Sequence, residues 1–187
     1  MPELKFFPET HVAFVSEIGS YNESIPRGFK RLFDWMLAHK VQPVGPSLAI
    51  FYDDPTKVAS KNRRCDLCAP VGPRVNGSGE VRTKEIGGWT VATIEYQGES
   101  DVRRAYNEVY DWLHEQGYHE ADAPVEKYLS ALGEELRAEV AVPVIKKELM
   151  PTKKKIRKAG AIKPTKGRAK VSKRVAKKTA RKRTLKR

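Results

Sequence analysis

The stretch Leu136-Arg137-Ala138-Glu139-Val140-Ala141-Val142-Pro143-Val144 alternates small or apolar residues with two charges. In an extended chain successive side chains point to opposite faces, so Leu136, Ala138, Val140 and Val142 share one face and Arg137 and Glu139 the other. That pattern predicts a strand in a sheet with helices behind it and something to be held in front. Glu139 is then the first candidate for a functional residue. The alternative is a solvated acid paired with Arg137 on the same face.

The preceding chain builds the same kind of unit twice. Thr10 to Gly19 is β-branched and aromatic enough for a strand. From Ile25 to His39 the residues Phe29, Leu32, Phe33, Trp35, Met36 and Leu37 recur at helical spacing, with Pro26 early enough to be tolerated. Val44 to Asp53, Arg64 to Val71 and Glu80 to Ile86 read as strands separated by Pro- and Gly-rich breaks. The pattern then restarts. Trp89 to Gln97 is a strand, and Val102 to Gln116 a helix with Ala105, Tyr106, Val109, Tyr110, Trp112 and Leu113 inward, closed by Gly117. Pro124 to Leu132 and Leu136 to Val144 are the last two strands. An offset of 77 brings Phe33-Asp34-Trp35-Met36 onto Tyr110-Asp111-Trp112-Leu113, Val12 onto Trp89, Phe14 onto Val91 and Phe51 onto Tyr128. The expected fold is α+β: a duplicated strand-helix-strand-strand unit forming a curved antiparallel sheet, with two helices on one face and a cleft between the repeats. Clefts between repeats are common small-molecule sites.

Charge divides the chain differently. Of its 36 Lys and Arg, 20 fall in residues 146–187 beside a single acid, Glu148, which leaves 16 bases against 22 acids in residues 1–145. A mildly acidic domain over 1–145 is thus expected to carry a basic tail over 146–187. The tail contains Lys153, Lys154, Lys155, Arg157 and Lys158, then Lys173, Arg174, Lys177, Lys178, Arg181, Lys182 and Arg183, broken by Pro151, Gly160, Pro164 and Gly167 and without an aromatic residue. Such a composition predicts disorder and binding to DNA or RNA through phosphates without sequence readout. An anionic membrane surface, a localisation signal and simple solubility are the alternatives.

Several chemistries find no support. Cys65 and Cys68 are too few and too close for a disulfide framework, and within a strand they point to opposite faces, which suits two buried thiols better than a redox pair. His11, His39, His114 and His119 are scattered, so no metal set forms, no cofactor is expected and no nucleophilic triad has defensible spacing. The opening Met1-Pro2-Glu3-Leu4-Lys5 lacks a signal-peptide pattern, and no apolar window reaches the ~18 to 20 residues of a bilayer span. The expectation is a cytoplasmic protein with no membrane partner, its tail meeting nucleic acid in the nucleus or nucleoid, or in the cytosol.

The opening Val12-Ala13-Phe14-Val15-Ser16-Glu17-Ile18-Gly19-Ser20-Tyr21, the helix segment Tyr110-Asp111-Trp112-Leu113, the strand Glu126-Lys127-Tyr128 and the closing Ala138 to Val144 together resemble the GyrI-like small-molecule-binding domain, also the effector-binding domain of AraC-type and MerR-type regulators. The resemblance covers roughly residues 8 to 145. It implies a cleft that takes lipophilic, often cationic, aromatic molecules, with the family's ligand-contacting glutamate mapped onto Glu139. Glu126 and Tyr128 share a face of their strand and are the next ligand-binding candidates, followed by Tyr21, Tyr52, Trp89 and Tyr96 near strand ends. Trp35 and Trp112 belong to the core by spacing. No room for the regulators' DNA-binding module is expected ahead of Thr10, so the resemblance is taken to the stand-alone, gyrase-modulating type, with DNA gyrase as an implied partner. The expected function is non-enzymatic capture of a lipophilic or cationic molecule. The alternative, implied by hydrolase members, is hydrolysis of a DNA-reactive electrophile with Glu139 as general base.

Overall fold

A computed structural model describes residues 1–130 and 134–149. Strand β1 (Glu3–Phe7) precedes β2 (Thr10–Ile18), helix α1 (Tyr21–Ala38), β3 (Leu48–Phe51), β4 (Arg64–Pro70) and β5 (Arg82–Ile86). The second half runs β6 (Trp89–Gln97), α2 (Val102–Glu115), β7 (Tyr118–Glu120), β8 (Val125–Tyr128) and β9 (Arg137–Lys146). The strands form one curled antiparallel half-barrel in the order β1-β6-β9-β8-β3-β4-β2-β5, with β7 added against β9. The α+β duplication expected from the sequence is present, as two antiparallel halves that meet where β8 pairs with β3.

The structure corrects the alignment of the repeats. Val12 pairs with Pro70 as Val91 pairs with Pro143, so β2 maps onto β6 with Val12 at Val91, not at Trp89. The buried helix positions Gly28, Leu32 and Met36 do match Ala105, Val109 and Leu113, the offset read from the sequence. Arg64-Cys65-Asp66-Leu67-Cys68-Ala69-Pro70 falls onto Arg137-Ala138-Glu139-Val140-Ala141-Val142-Pro143. Backbone bonds repeat too: Tyr52 N–H donates to the Arg64 carbonyl and Leu129 N–H to the Arg137 carbonyl, while Phe51 N–H reaches Pro124 and Tyr128 N–H reaches Ser47. A single offset fails because the path from Gly19 to the helix position Gly28 is longer than that from Gly98 to the matching Ala105, and the excursion between β3 and β4 longer than its counterpart.

Strand lengths differ from expectation at the ends. The strand expected over 44–53 forms only over Leu48–Phe51, because Pro43 and Pro46 lack a donor and hold the approach outside the ladder. The β8 strand stops at Tyr128, and β9 extends through Lys146, so the sheet takes one residue from the expected tail. Strands β1 and β7 were not expected; Glu3–Phe7 shows little burial until Phe7, and three residues are too few for a period. The basic positions from Lys153 onward lie outside the described residues.

Two cores result, one per face of the sheet. On the helix face Ala92, Ile94, Ala138, Val140 and Val142 pack on α2, while Ala13, Val15 and Ala69 pack with Leu32 and Met36 of α1. On the other face Phe7, Val12, Phe14, Leu48, Ile50, Val91 and Val125 form their own cluster. Cys65 and Cys68 divide between the faces, both free and buried, and burial pushes each thiol up to about 12. Helix α1 approaches β4 closely at Gly28, where an added Cβ would stand 2.7 Å from Leu67 Cδ2 and 3.0 Å from Glu17 Cγ. Gly28→Val is therefore expected to lower stability by ~1–3 kcal/mol in urea unfolding, as overpacked cores do. Ala105→Gly at the equivalent position of α2 should cost only ~1 kcal/mol, the helix-propensity loss.

Candidate functional site

A cleft opens between α1 and α2 over the β3–β8 seam. Its volume of about 2780 Å³ far exceeds the ~300–1,000 Å³ of a closed ligand pocket, so it is a groove with a defined floor. Glu126 forms that floor. Its partner in the ladder is Ala49 on one side and Val140 on the other, and Val140 belongs to the core under α2, which sets the Glu126 side chain on the helix face. With a methyl group as neighbour at the seam, space is left above the carboxyl group rather than filled.

Phenols surround this carboxyl. Tyr96 of β6 donates to Glu126 Oε2 at 3.1 Å and Tyr128 donates to the same oxygen at 3.2 Å, while Tyr106 of α2 also directs its hydroxyl at the group. Glu126 is 7% exposed, and among the described residues no Lys or Arg forms an ion pair with it. Burial raises its pKa above the ordinary carboxyl value, and the three phenol hydrogen bonds offset only part of that shift. Burial likewise pushes Tyr96, Tyr106 and Tyr128 upward, keeping all three as protonated donors. Phe29 of α1 meets Tyr128 edge-on with ring centres 5.6 Å apart, and Phe33 stacks on Phe29 at 5.6 Å. Tyr21 lines the same wall, with burial raising its phenol to about 12 and its hydroxyl donating to the Asp53 carbonyl.

The corresponding buried acid of the first half is treated differently. Glu17 occupies the position of Tyr96 and is 5% exposed, but Arg27 Nη2 and Arg31 Nη1 each lie 2.6 Å from its oxygens. Where the second half has Tyr106, Glu126 and Tyr128, the first has Phe29, Ala49 and Phe51. The frame is symmetric and the polar site is one-sided.

Of the residues singled out in the sequence, Glu126, Tyr128, Tyr96 and Tyr21 come together here, and Tyr52 stands at the margin of the cleft with its hydroxyl committed to Asp66. Glu139 does not reach the cleft. The strand alternates as expected, yet the helices and the cleft lie on the same face, that of Ala138 and Val140, so Glu139 points to the opposite side, where Lys5 Nζ is 3.1 Å away. That placement removes it as the cleft's ligand-contacting acid and as a general base there. Trp89 also belongs to the opposite face, packed on Phe7 with centroids 6.0 Å apart. Sequence reasoning missed Phe29, Phe33, Tyr106 and Tyr110, because helical spacing marks them as core without distinguishing a core from a groove. Among the described residues no cluster could hold a metal ion, and no helix is long and apolar enough to cross a membrane.

A curled sheet carrying two helices and an aromatic groove over one buried acid defines a small-molecule-binding domain. Residues 1–145 match the GyrI-like small molecule binding domain, and the chain belongs to that family. A DNA gyrase inhibitor of Pectobacterium carotovorum is 31% identical over 117 residues, covering 60% of this chain and 75% of its own length. The C-terminal domain of EcmrR superposes with a TM-score of 0.65 at 21% identity, covering 78% of this chain and 98% of that domain. In the EcmrR–DNA complex the TM-score is 0.70 at 18% identity over 78% of this chain, which spans 57% of that longer protein. SAV2435 bound to tetraphenylphosphonium matches with a TM-score of 0.53 at 13% identity, over 78% of this chain and 94% of the other.

The isolated acid has a cost that pH reveals. Folded Glu126 holds its proton to higher pH than it does in the unfolded chain, whose value is near 4.5, so the native state binds more protons in the window above 4.5. Stability contributed by this group is present below 4.5 and is lost as pH rises through the folded value. Glu126→Gln should therefore raise the melting temperature at neutral pH, and the gain over wild type should shrink toward pH 4.5 in a pH series of thermal melts.

Proposed function

We propose that this domain captures lipophilic cations in the groove between α1 and α2, with Glu126 as counter-charge and Phe29, Tyr106 and Tyr128 as the aromatic walls. The observation that carries this reading is the buried Glu126 carboxyl, hydrogen-bonded by phenols but without an ion-pair partner among the described residues. A delocalised cation is cheap to desolvate, so it gains attraction in the low dielectric without the hydration cost of an ammonium ion. Ring faces add cation–π attraction and apolar contact. SAV2435, whose structure holds tetraphenylphosphonium, lends support through its fold. The relatives named as DNA gyrase inhibitors support gyrase as a partner of the domain, at work in the bacterial cytoplasm. The basic tail would add sequence-independent attachment to DNA through residues such as Lys153, Lys154, Lys155, Arg174, Lys177 and Arg181, supported by a density of charge that releases counterions on binding phosphate.

Tetraphenylphosphonium should raise the melting temperature of the full chain in a thermal-shift titration, as binding to the native state alone requires. Glu126→Gln should weaken its affinity by roughly tenfold or more while leaving neutral triphenylphosphine oxide nearly unaffected, since only the cation loses an ion pair. An equal response of both compounds to the substitution would refute the counter-charge. For the tail, fluorescence anisotropy should give duplex affinities that fall steeply with salt and do not depend on base sequence, and removal of residues 150–187 should abolish them. Retained binding by the truncated protein would place the DNA contact elsewhere.

A further inference from the structure

The face of the sheet away from the helices carries a second polar arrangement that the cleft does not use, and the pseudo-twofold relation makes its two copies comparable. In the first half, Asp66 faces Lys84 of the edge strand β5, whose register partner is Val12. In the second half, Glu139 faces Lys5 of the edge strand β1, whose register partner is the equivalent Val91. Asp66 is fully engaged: Ser16 Oγ donates to Oδ1 at 2.6 Å, and Lys84 Nζ and the Tyr52 hydroxyl donate to Oδ2 at 2.6 and 2.7 Å. The same Tyr52 hydroxyl accepts from Lys84 Nζ at 3.0 Å. The first half therefore supplies its own phenol to bridge a buried carboxylate and a lysine.

The second half lacks that phenol. Leu129 stands at the Tyr52 position, as their matching backbone bonds to Arg137 and Arg64 establish, and Glu95 replaces Ser16. Glu139 is 7% exposed and among the described residues receives only Lys5 Nζ, on Oε2 at 3.1 Å. Lys127 Nζ lies 4.0 Å from Oε1, beyond hydrogen-bond reach. Lys127 and Glu139 both border a cavity of about 330 Å³, within the small-molecule range, whose other walls include Phe7, Leu48, Pro70 and Val91. Phe6 and Val44 sit at its margin, each 68% exposed.

We propose that this cavity is a second ligand site, on the face opposite the helices, for a small neutral aromatic molecule bearing a hydroxyl group. The hydroxyl donates to Glu139 Oε1 and accepts from Lys127 Nζ, filling the gap that Tyr52 closes around Asp66, while the ring packs on Phe7, Leu48 and Val91. An acceptor and a donor presented side by side select a group that is both, which a hydroxyl is and a simple cation or anion is not. The site is independent of Glu126, since the two carboxyls lie on opposite faces.

The probe is phenol, added to isotope-labelled full-length protein and followed by amide chemical shifts, with benzene as the control lacking the hydroxyl. Saturable shifts are expected at Phe7, Leu48 and Val91, with phenol at least ~tenfold tighter than benzene, the factor expected for one hydrogen bond to a charged group. Lys127→Met and Glu139→Gln should each remove most of that preference, and Glu126→Gln should leave it unchanged. Shifts confined to Phe29 and Tyr106 of the cleft, equal affinity for phenol and benzene, or a preference that survives Lys127→Met would each overturn the proposal. Because the Glu126→Gln arm reads the cleft separately, failure here is distinguishable from failure of cation capture there.

Discussion

The two halves of the sheet meet where Leu48, Ala49 and Ile50 pair with Lys127, Glu126 and Val125, and the central pair of that seam sets a methyl group beside a carboxyl group. Everything about the cleft follows from this juxtaposition. A larger residue than Ala49 would fill the space above the seam, and a basic one would neutralise Glu126. As it is, the short ladder holds the halves together through backbone hydrogen bonds, the helices cover the sheet to either side, and the acid is left at the bottom of an aromatic groove.

Duplication explains how such a buried liability is tolerated. Each half has its own buried core under its own helix, Leu32 and Met36 in one and Val109 and Leu113 in the other, so the seam does not have to supply the stability of the whole. Each half also holds buried acids, and their treatment differs. Glu17, Asp66 and Glu139 have arginines or lysines within ion-pair distance. Glu126 has phenols, which satisfy hydrogen bonding without cancelling charge. Burying a carboxyl group without a cation costs free energy that an uncharged residue would not, and a site whose complement arrives from outside is the physical circumstance in which that cost has a use.

Most of the architecture was legible in the sequence because it rests on periodicity. The alternation in Leu136 to Val144, the inner faces of both helices and the matched Asp-Trp segments were sufficient for the duplicated α+β unit. Single offsets were not, since connections of unequal length shift the strands relative to the helices, and Arg64 to Pro70 therefore went unmatched with Arg137 to Pro143. The site was half legible. Parity correctly separated Glu139 from Val140, but parity alone does not say which face carries the cleft; the helices pack on the apolar face and the groove runs between them, so the acid in the cleft is Glu126, which the sequence ranked behind Glu139. Tyr106 and Phe29 were hidden for a related reason: a residue lining an apolar groove and one filling a core have the same spacing.

The central claim is that Glu126 is a buried carboxyl group awaiting an external positive charge, and a carbon-detected NMR titration of its side-chain carboxyl tests it most directly. In the free protein the midpoint should lie above that of ordinary glutamates, and saturation with tetraphenylphosphonium should bring it down, because a bound cation favours the ionised form. A midpoint at the ordinary value that does not move when the cation binds would contradict the account.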